Sequence, residues 1–350
     1  YGEPVVNLDR SMDVSGDIYQ LNTEILNTNN QNLHQLVIND VLLDWYPEYC
    51  RPRYAKIERK HMDMASSVQH QFEQAVFKFV KYAVRLTGSR DVCLAGGSAL
   101  NCTANGKLKQ HGLADRVFVP PFPNDTGCSF GAAAVVAAQN GENVAPLTTA
   151  QLGPSFSNES IAQDLDLLNC KATYVDDIAG AAAKEISSGK LLGWFQGRLE
   201  VGPRALGGRS ILADPRNPSV KERINKFIKF REDFRPFAPS VLEKASEKYF
   251  DFDQPSPFMN FIAPVKTPDV LPGITHVDGT ARLQTVSEQQ GIYSDLLHAM
   301  EEESGHPVVL NTSFNYMGQP IVCTPKEAIY TFFGTGLDVM AIGNWLVRKS

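Results

Sequence analysis

Between Asp63 and Arg85 the apolar residues fall at helical spacing: Val68, Phe72, Val76, Phe79 and Val80, then Ala83 and Val84. That period predicts an amphipathic helix over 63–85. Further on, Asp91–Ala95 reads as a short buried strand running into Gly96 and Gly97, and Asn101–Gln110 as a helix. Val117–Pro120 reads as a second strand, ending at Pro121–Asp125. The alanine-rich run Gly127–Gln139 predicts a helix that packs closely because its side chains are small. The polar stretch Gly141–Gly153, with Pro146 inside it and Pro154 after it, reads as a linker. Helices are expected at Asn158–Leu168 and Ile178–Ser188, and a buried strand at Leu191, Leu192, Trp194 and Phe195. Asp278–Thr285 reads as a polar turn carrying Arg282. Pro307–Leu310 is an apolar strand that ends abruptly in Asn311, Thr312, Ser313 and Asn315. The first sixty residues show no period, and Asn27–Asn32 reads as loop.

Composition narrows the class. A chain of 350 residues with 43% hydrophobic content suits two domains with sizeable cores. No apolar run is long enough to span a membrane. A net charge of -6 argues against a general binder of nucleic acid or anionic membrane. The six cysteines, Cys50, Cys93, Cys102, Cys128, Cys170 and Cys323, form no Cys-x-x-Cys pair. They suggest small core residues of a reducing compartment rather than a zinc site. With no signal-sequence pattern at the N-terminus, a cytoplasmic protein is expected. The chain starts at Tyr1 rather than Met, which suggests a fragment or a processed product.

Against that acidic balance, one segment is strongly basic. Gly193–Ser210 carries Arg198, Arg204 and Arg209 interleaved with Gly197, Gly202, Gly207 and Gly208, and Arg216, Arg223, Lys229, Arg231 and Arg235 follow. Glycine lets backbone approach a ligand, and guanidinium forks match phosphate oxygens, so the segment reads as a polyanion pocket. An equally good reading on composition alone is local pairing with Glu200, Asp214, Glu232 and Asp233. Asn311, Thr312, Ser313 and Asn315 tip the balance, because small polar residues at a strand's carboxyl end are where α/β proteins place ligand contacts.

Several blocks together carry a family resemblance. Gly197–Ser210, Arg235–Pro239 and Leu310–Asn315, with Leu94–Cys102 and Pro120–Gly127, resemble the carbamoyltransferases that act on Nod factors and antibiotic sugars. The resemblance runs from about Met62 to the C-terminus. It implies an α/β chain: over 1–145 the C-terminal part of an ASKHA-like (actin/hexokinase class) domain, and over 146–350 a YrdC-like mixed α/β domain. The implied chemistry is formation of carbamoyl-adenylate from ATP and carbamoyl phosphate, followed by transfer of the carbamoyl group to a hydroxyl of a sugar or natural-product acceptor. No nucleic-acid or membrane partner is expected.

The resemblance also nominates residues. Arg204, Arg209, Lys229 and Arg235 would form the catalytic cation cradle, completed by Arg282, because opposed phosphate charges must be screened before they can react. Asn311 and Ser313 would hydrogen-bond the carbamoyl amide or a phosphate. Arg198, Glu200 and Arg216 would support them, while Arg223 and Arg231 read as helix-surface charges, and His276 as a structural or solvated loop histidine. In the transfer domain, Gly96, Gly97 and Asn101 would contact nucleotide, and Asp125 would ligate a divalent metal, Fe or Mg, although it would equally serve as a helix N-cap. The family's metal site also uses a His-x-x-x-His pair. Here the histidines are His34, His61, His70, His111, His276, His298 and His306, none four apart, so the transfer-site metal is expected to be incomplete. Rival readings are a carbamoyl-adenylate synthase acting on protein or tRNA, and a non-catalytic nucleotide-binding module.

Overall fold

The computed structural model describes residues 1–22, 24, 40–52, 54–232 and 234–349. The expected loop Asn27–Asn32, His34 and the candidate ion-pair partner Asp233 lie outside the described residues. The chain separates into two units. One comprises Tyr1–Val92 with Lys107–Val117, the other Cys93–Gly106 with Phe118–Ser350.

In the first unit, strands β1 (Met12–Asp13) and β2 (Gln20–Leu21) make a short antiparallel ribbon. Its main element is the helix Arg59–Thr87. Glu58 and His61 form a reciprocal capping box at its start, and Gly88 closes it in the left-handed conformation at φ 71°. The period places this helix correctly, but the face it buries is Ser67, Glu73, Ala75, Phe77 and Val80. Val68 and Phe79, expected on the buried stripe, are 52% and 57% exposed. Glu73 is buried because Lys107 Nζ reaches its carboxylate at 2.7 Å.

Short strands β3 (Asp91–Cys93) and β4 (Arg116–Phe118) lead to the second unit, which is built on one nine-stranded mixed sheet. Its strands are β5 (Ala172–Tyr174), β6 (Leu192–Phe195), β7 (Arg209–Ala213), β8 (Ala238–Leu242), β9 (Phe261–Pro264), β10 (Thr280–Val286), β11 (Val308–Ser313), β12 (Val339–Ile342) and β13 (Trp345–Arg348). Their order is β5-β13-β12-β6-β7-β11-β8-β10-β9. Only β12–β6 and β10–β8 run parallel among the pairs described. The mixed α/β class expected from sequence is what the structure shows. The segment read as a polar turn at Asp278–Thr285 is mostly β10. Its polar Gln284 and Thr285 are buried by pairing with β8, which tertiary context decides and local pattern does not.

Helices Ile178–Ser187 and Ile292–Ser304 cover one face of the sheet. Ala182, Ala183, Ile186, Leu296, Leu297 and Met300 are fully buried there against Trp194, Leu212 and Val309. Asp177 caps the first helix by accepting from Gly180 N at 2.9 Å. The alanine-rich helix behaves otherwise. It forms at Cys128–Gln139, yet none of its residues is buried, and Val135 and Val136 are each 56% exposed. Phe130 meets the Phe122 ring edge-on at 5.7 Å, but the small side chains of the helix are not buried among the described residues, so the close packing expected of them is not seen there. The cysteines also depart from expectation. All six are free, with Cys50, Cys93 and Cys128 exposed and the rest half-buried.

These contrasts predict unequal mutational costs. Leu297→Ala should destabilise by about 2–5 kcal/mol, through lost burial and the cavity left behind. Val135→Ala should stay within about 0.5 kcal/mol. Urea unfolding monitored at the second unit's tryptophans checks both values.

A cationic cavity at the end of strand β11

The loop between β6 and β7 folds around a carboxylate. Glu200 is buried, and its Oε1 accepts from the backbone N–H groups of Leu206 (2.8 Å), Gly208 (2.6 Å) and Arg209 (3.2 Å). Three donors converge only because the chain turns sharply. Gly207 sits at φ 102°, and a Cβ there would lie 2.2 Å from Tyr293 Cδ1. Any other residue would be strained and would also clash.

A buried polar network fixes the same loop to the sheet. Ser240 Oγ donates to Gln284 Oε1 (2.6 Å), and Gln284 Nε2 donates to Leu206 O (3.0 Å). Asn311 Nδ2 lies 3.1–3.2 Å from Ala205 O, Ser240 Oγ, Gln284 Oε1 and Tyr293 OH. Burial pushes the Tyr293 hydroxyl pKa up, so it stays protonated. Asn311 Oδ1 is left without a hydrogen-bond partner among the described residues, although the side chain is 1% exposed.

These elements enclose a cavity of about 380 Å³ at the carboxyl end of β11. Arg204, Arg235, Arg282, Asn311 and Ser313, all nominated from sequence, line it together. Arg231, His276 and Asp278 line it too, and Cys102 and Thr103 form another part of its wall. That wall is tied down by Asn105, whose Nδ2 donates to Ala99 O (2.8 Å) and Asn260 O (3.0 Å). Burial, then the neighbouring Arg282, pushes the Arg204 pKa down to about 10. The Nε atoms of Arg204 and Arg282 are buried and unpartnered among the described residues.

Arg209 and Lys229 do not line the cavity. Arg209 is fully buried with its Nη1 on Gln196 O (2.9 Å) and Gly208 O (3.0 Å), and its guanidinium stacks on Phe195 at 3.6 Å. Burial pushes its pKa down to about 10. Lys229 Nζ is held by Ser313 O (2.7 Å), Ser313 Oγ (3.2 Å), Asn315 O (3.0 Å) and Asn315 Oδ1 (2.6 Å), so it supports the strand end from behind. The local-pairing reading holds for two arginines, Arg216 with Asp214 (2.6 Å) and Arg235 with Glu232 (3.0 Å), whereas Arg223 pairs with the distant Asp338 (3.1 Å). Arg198 donates to Gly153 O and Leu152 O. Arg204, Arg231 and Arg282 pair with no carboxylate among the described residues.

Sequence reading set aside His276 and Arg231, and the structure places both in the wall. His276 Nδ1 meets Asp278 Oδ1 at 3.2 Å, and Asp278 also accepts from Thr280 N (3.0 Å) and Oγ1 (2.7 Å). These bonds, His276 foremost, hold the Asp278 carboxyl below its usual range. The signal available in sequence was Asp278 two positions from both His276 and Thr280, an Asx-turn pattern.

A second cavity of about 650 Å³ brings Gly96 and Asp125 together with Phe118, Phe122 and Phe130. Gly96 adopts φ 92° and donates to Pro123 O at 2.7 Å. Gly97 opens a short 3₁₀ helix and does not line this cavity. Asn101 caps the next helix by accepting from Ala104 N at 3.0 Å. Asp125 is exposed at the start of its own short helix. No group of three or more His, Cys, Asp or Glu side chains able to hold a metal occurs among the described residues.

Two outcomes follow from this geometry. Glu200→Ala should destabilise by about 2 kcal/mol or more in chemical denaturation, because it leaves buried N–H groups unmatched. Lys229 makes a pH-dependent difference. Burial first, then Arg231, pushes its pKa from 10.5 down to about 7. Between about pH 7 and 10.5 the unfolded chain therefore holds more protons than the native one, so stability rises with pH there, by at most about 1.4 kcal/mol per unit. The cost of burying the charge is fully present below pH 7. Lys229→Met should flatten this rise. Parallel stability–pH profiles for parent and variant check this: a steeper rise in the parent is expected, and equal slopes would show instead that the four acceptors keep Nζ charged.

Residues 2–134 match the family model of the carbamoyltransferase N-terminus, and residues 183–349 that of the carbamoyltransferase C-terminus. The nodulation protein NolO of Bradyrhizobium diazoefficiens is 41% identical over 363 residues, covering 100% of this chain and 64% of its own length. The nodulation protein NolNO of Sinorhizobium fredii is 43% identical, over 83% of this chain and 44% of its own. An uncharacterized protein of Synechocystis is 37% identical, over 100% of this chain and 62% of its own. The chain thus spans less than two thirds of the length of each of these relatives. Among solved structures, a doubly substituted P. abyssi Sua5 aligns over 47% of this chain and 50% of its own, with a TM-score of 0.31 and 15% identity. A likeness that low carries no argument about fold. No helix among the described residues is long and apolar enough to cross a membrane.

Proposed function

Because the chain belongs to the carbamoyltransferase family, we propose that the cationic cavity binds carbamoyl phosphate and ATP and joins them as carbamoyl-AMP, the carbamoyl group then passing to a hydroxyl of a small-molecule acceptor. The observation that carries this reading is the convergence of Arg204, Arg235 and Arg282 with the unpartnered Oδ1 of buried Asn311 in one cavity. Guanidinium groups suit phosphate oxygens. A buried amide oxygen lacking a donor suits the NH2 of a carbamoyl group. Water cleaves the bond between the carbamoyl group and phosphate, releasing phosphate and leaving carbamate; a carbamate oxygen then attacks the α-phosphorus of ATP, and the bond to pyrophosphate breaks. The arginines' part is to neutralise the negative charge that would keep the carbamoyl donor and the ATP phosphates apart, and to do so without reorganising.

Within this reading Ser313 stands at the strand end where a phosphate or the carbamoyl amide is seated, while Arg209 and Lys229 shape the cavity without touching its contents. Gly96 and Asp125 mark the transfer site. A divalent metal there, Fe or Mg, would find the Asp125 carboxylate as a ligand among the described residues.

The test is carbamoyl-AMP formation from carbamoyl phosphate and ATP, followed chromatographically. Arg204→Ala and Arg282→Ala should each weaken substrate binding about ten- to a hundredfold, the loss of one charge-assisted contact inside a pocket. Asn311→Ala should impair adenylate formation more than it impairs ATP binding. Substrate titrations unchanged in both arginine variants would sink the reading.

A further inference from the structure

Its place in the sequence, just past a helix, suits Arg231 to a solvated surface. The structure puts it elsewhere. The π-helical turn Asn225–Lys229 is closed by Phe230 in the left-handed conformation at φ 45°, and the residue after it lines the cavity. Arg231 Nε donates to Asn225 Oδ1 at 2.8 Å, and its guanidinium lies over the Phe237 ring at 4.7 Å. These contacts use one nitrogen and one face of the group. Among the described residues no carboxylate completes it.

The electrostatics around it are unfavourable to the free protein. Burial lowers the Arg231 pKa to about 10, with Arg235 and Arg282 repelling it and Glu232 offsetting in part. Arg204 is lowered likewise, by burial and again by Arg282. Arg282 is therefore the point at which two sets of like charges meet. Holding unpaired cations together in a partly dry cavity costs free energy, and an anion seated among them relieves that cost.

We propose that Arg231 is a ligand of the cavity's anion, gripping together with Arg282 a phosphate group of the substrate, and that the free protein is less stable for carrying it. This rests on the reading of the cavity as the carbamoyl phosphate and ATP site. The ligand chemistry is a phosphate ester or polyphosphate, which a guanidinium fork engages through two oxygens at once. Carbamoyl phosphate and the ATP polyphosphate both present it.

Arg231→Met and Arg231→Lys in the full chain, with Arg204→Met beside them, separate the possibilities. Thermal unfolding is measured without ligand, and calorimetric titration uses ATP, inorganic tripolyphosphate and carbamoyl phosphate in turn. Arg231→Met should melt at or above the Tm of the parent yet bind at least one of these anions about tenfold or more weakly, with Arg231→Lys between the two. Weakening with ATP and tripolyphosphate alone assigns the grip to the nucleotide; weakening with carbamoyl phosphate alone assigns it to that substrate. If Arg231→Met binds every anion like the parent while Arg204→Met does not, the proposal fails and the cavity reading stands. If Arg204→Met is also unaffected, both fall. A markedly lower Tm, or failure to fold, also overturns it, since Arg231 would then be holding the Asn225–Phe237 turn.

Discussion

The cavity depends on the buried Glu200 carboxylate and the three backbone N–H groups that it gathers. Taking a carboxylate out of water is costly unless its lone pairs are met. Oε1 is met by Leu206, Gly208 and Arg209, which is possible only if the chain doubles back through Gly207 against Tyr293, while Oε2 is buried without a partner among the described residues. Once that turn is made, Arg204 is presented to the cavity and Arg209 is drawn into the core. The same turn exposes the carbonyls of Ala205 and Leu206 to Asn311 and Gln284. Loop, sheet and cavity are thus joined by one set of buried polar contacts, each requiring the others.

Two populations of cation result. One is spent on the protein itself: Arg209 on backbone carbonyls and Phe195, Lys229 on Ser313 and Asn315, Arg216 on Asp214. The other, Arg204, Arg231 and Arg282, lines the cavity without an ion pair among the described residues, although Asp278 shares the wall and Glu232 offsets part of the charge on Arg231. A structural network would neutralise its own charges, whereas a binding site leaves them for the ligand. The distinction cannot be made by counting basic residues in a stretch, because both populations come from the same stretch.

Asn311 shows how far a single residue can serve both ends. Its amide nitrogen has more acceptors within reach than it has hydrogens, and it ties β11 to the Arg204 loop, while its oxygen has no partner among the described residues. The strand-end position made it a candidate from sequence. That it also holds the loop in place follows only from Ser240, Gln284 and Tyr293 arriving from three other elements.

The sequence by itself determined the mixed α/β class, the long helix near residues 59–87, the strands at Leu192 and Val308, and the identity of the segments that build the cavity. The helix and strands follow from period and turn residues, which are local, while the class and the cavity's residues follow from the family resemblance of the motifs. Tertiary structure decided which face of the long helix is buried, that Gln284 lies in a strand rather than a turn, that the helix Cys128–Gln139 keeps its apolar side chains exposed, and that Arg209 is inside while Arg231 is at the cavity. Each of these depends on what arrives from distant parts of the chain. A guanidinium's role is set by the carbonyl, ring or empty space opposite it, and neighbours in sequence do not specify that.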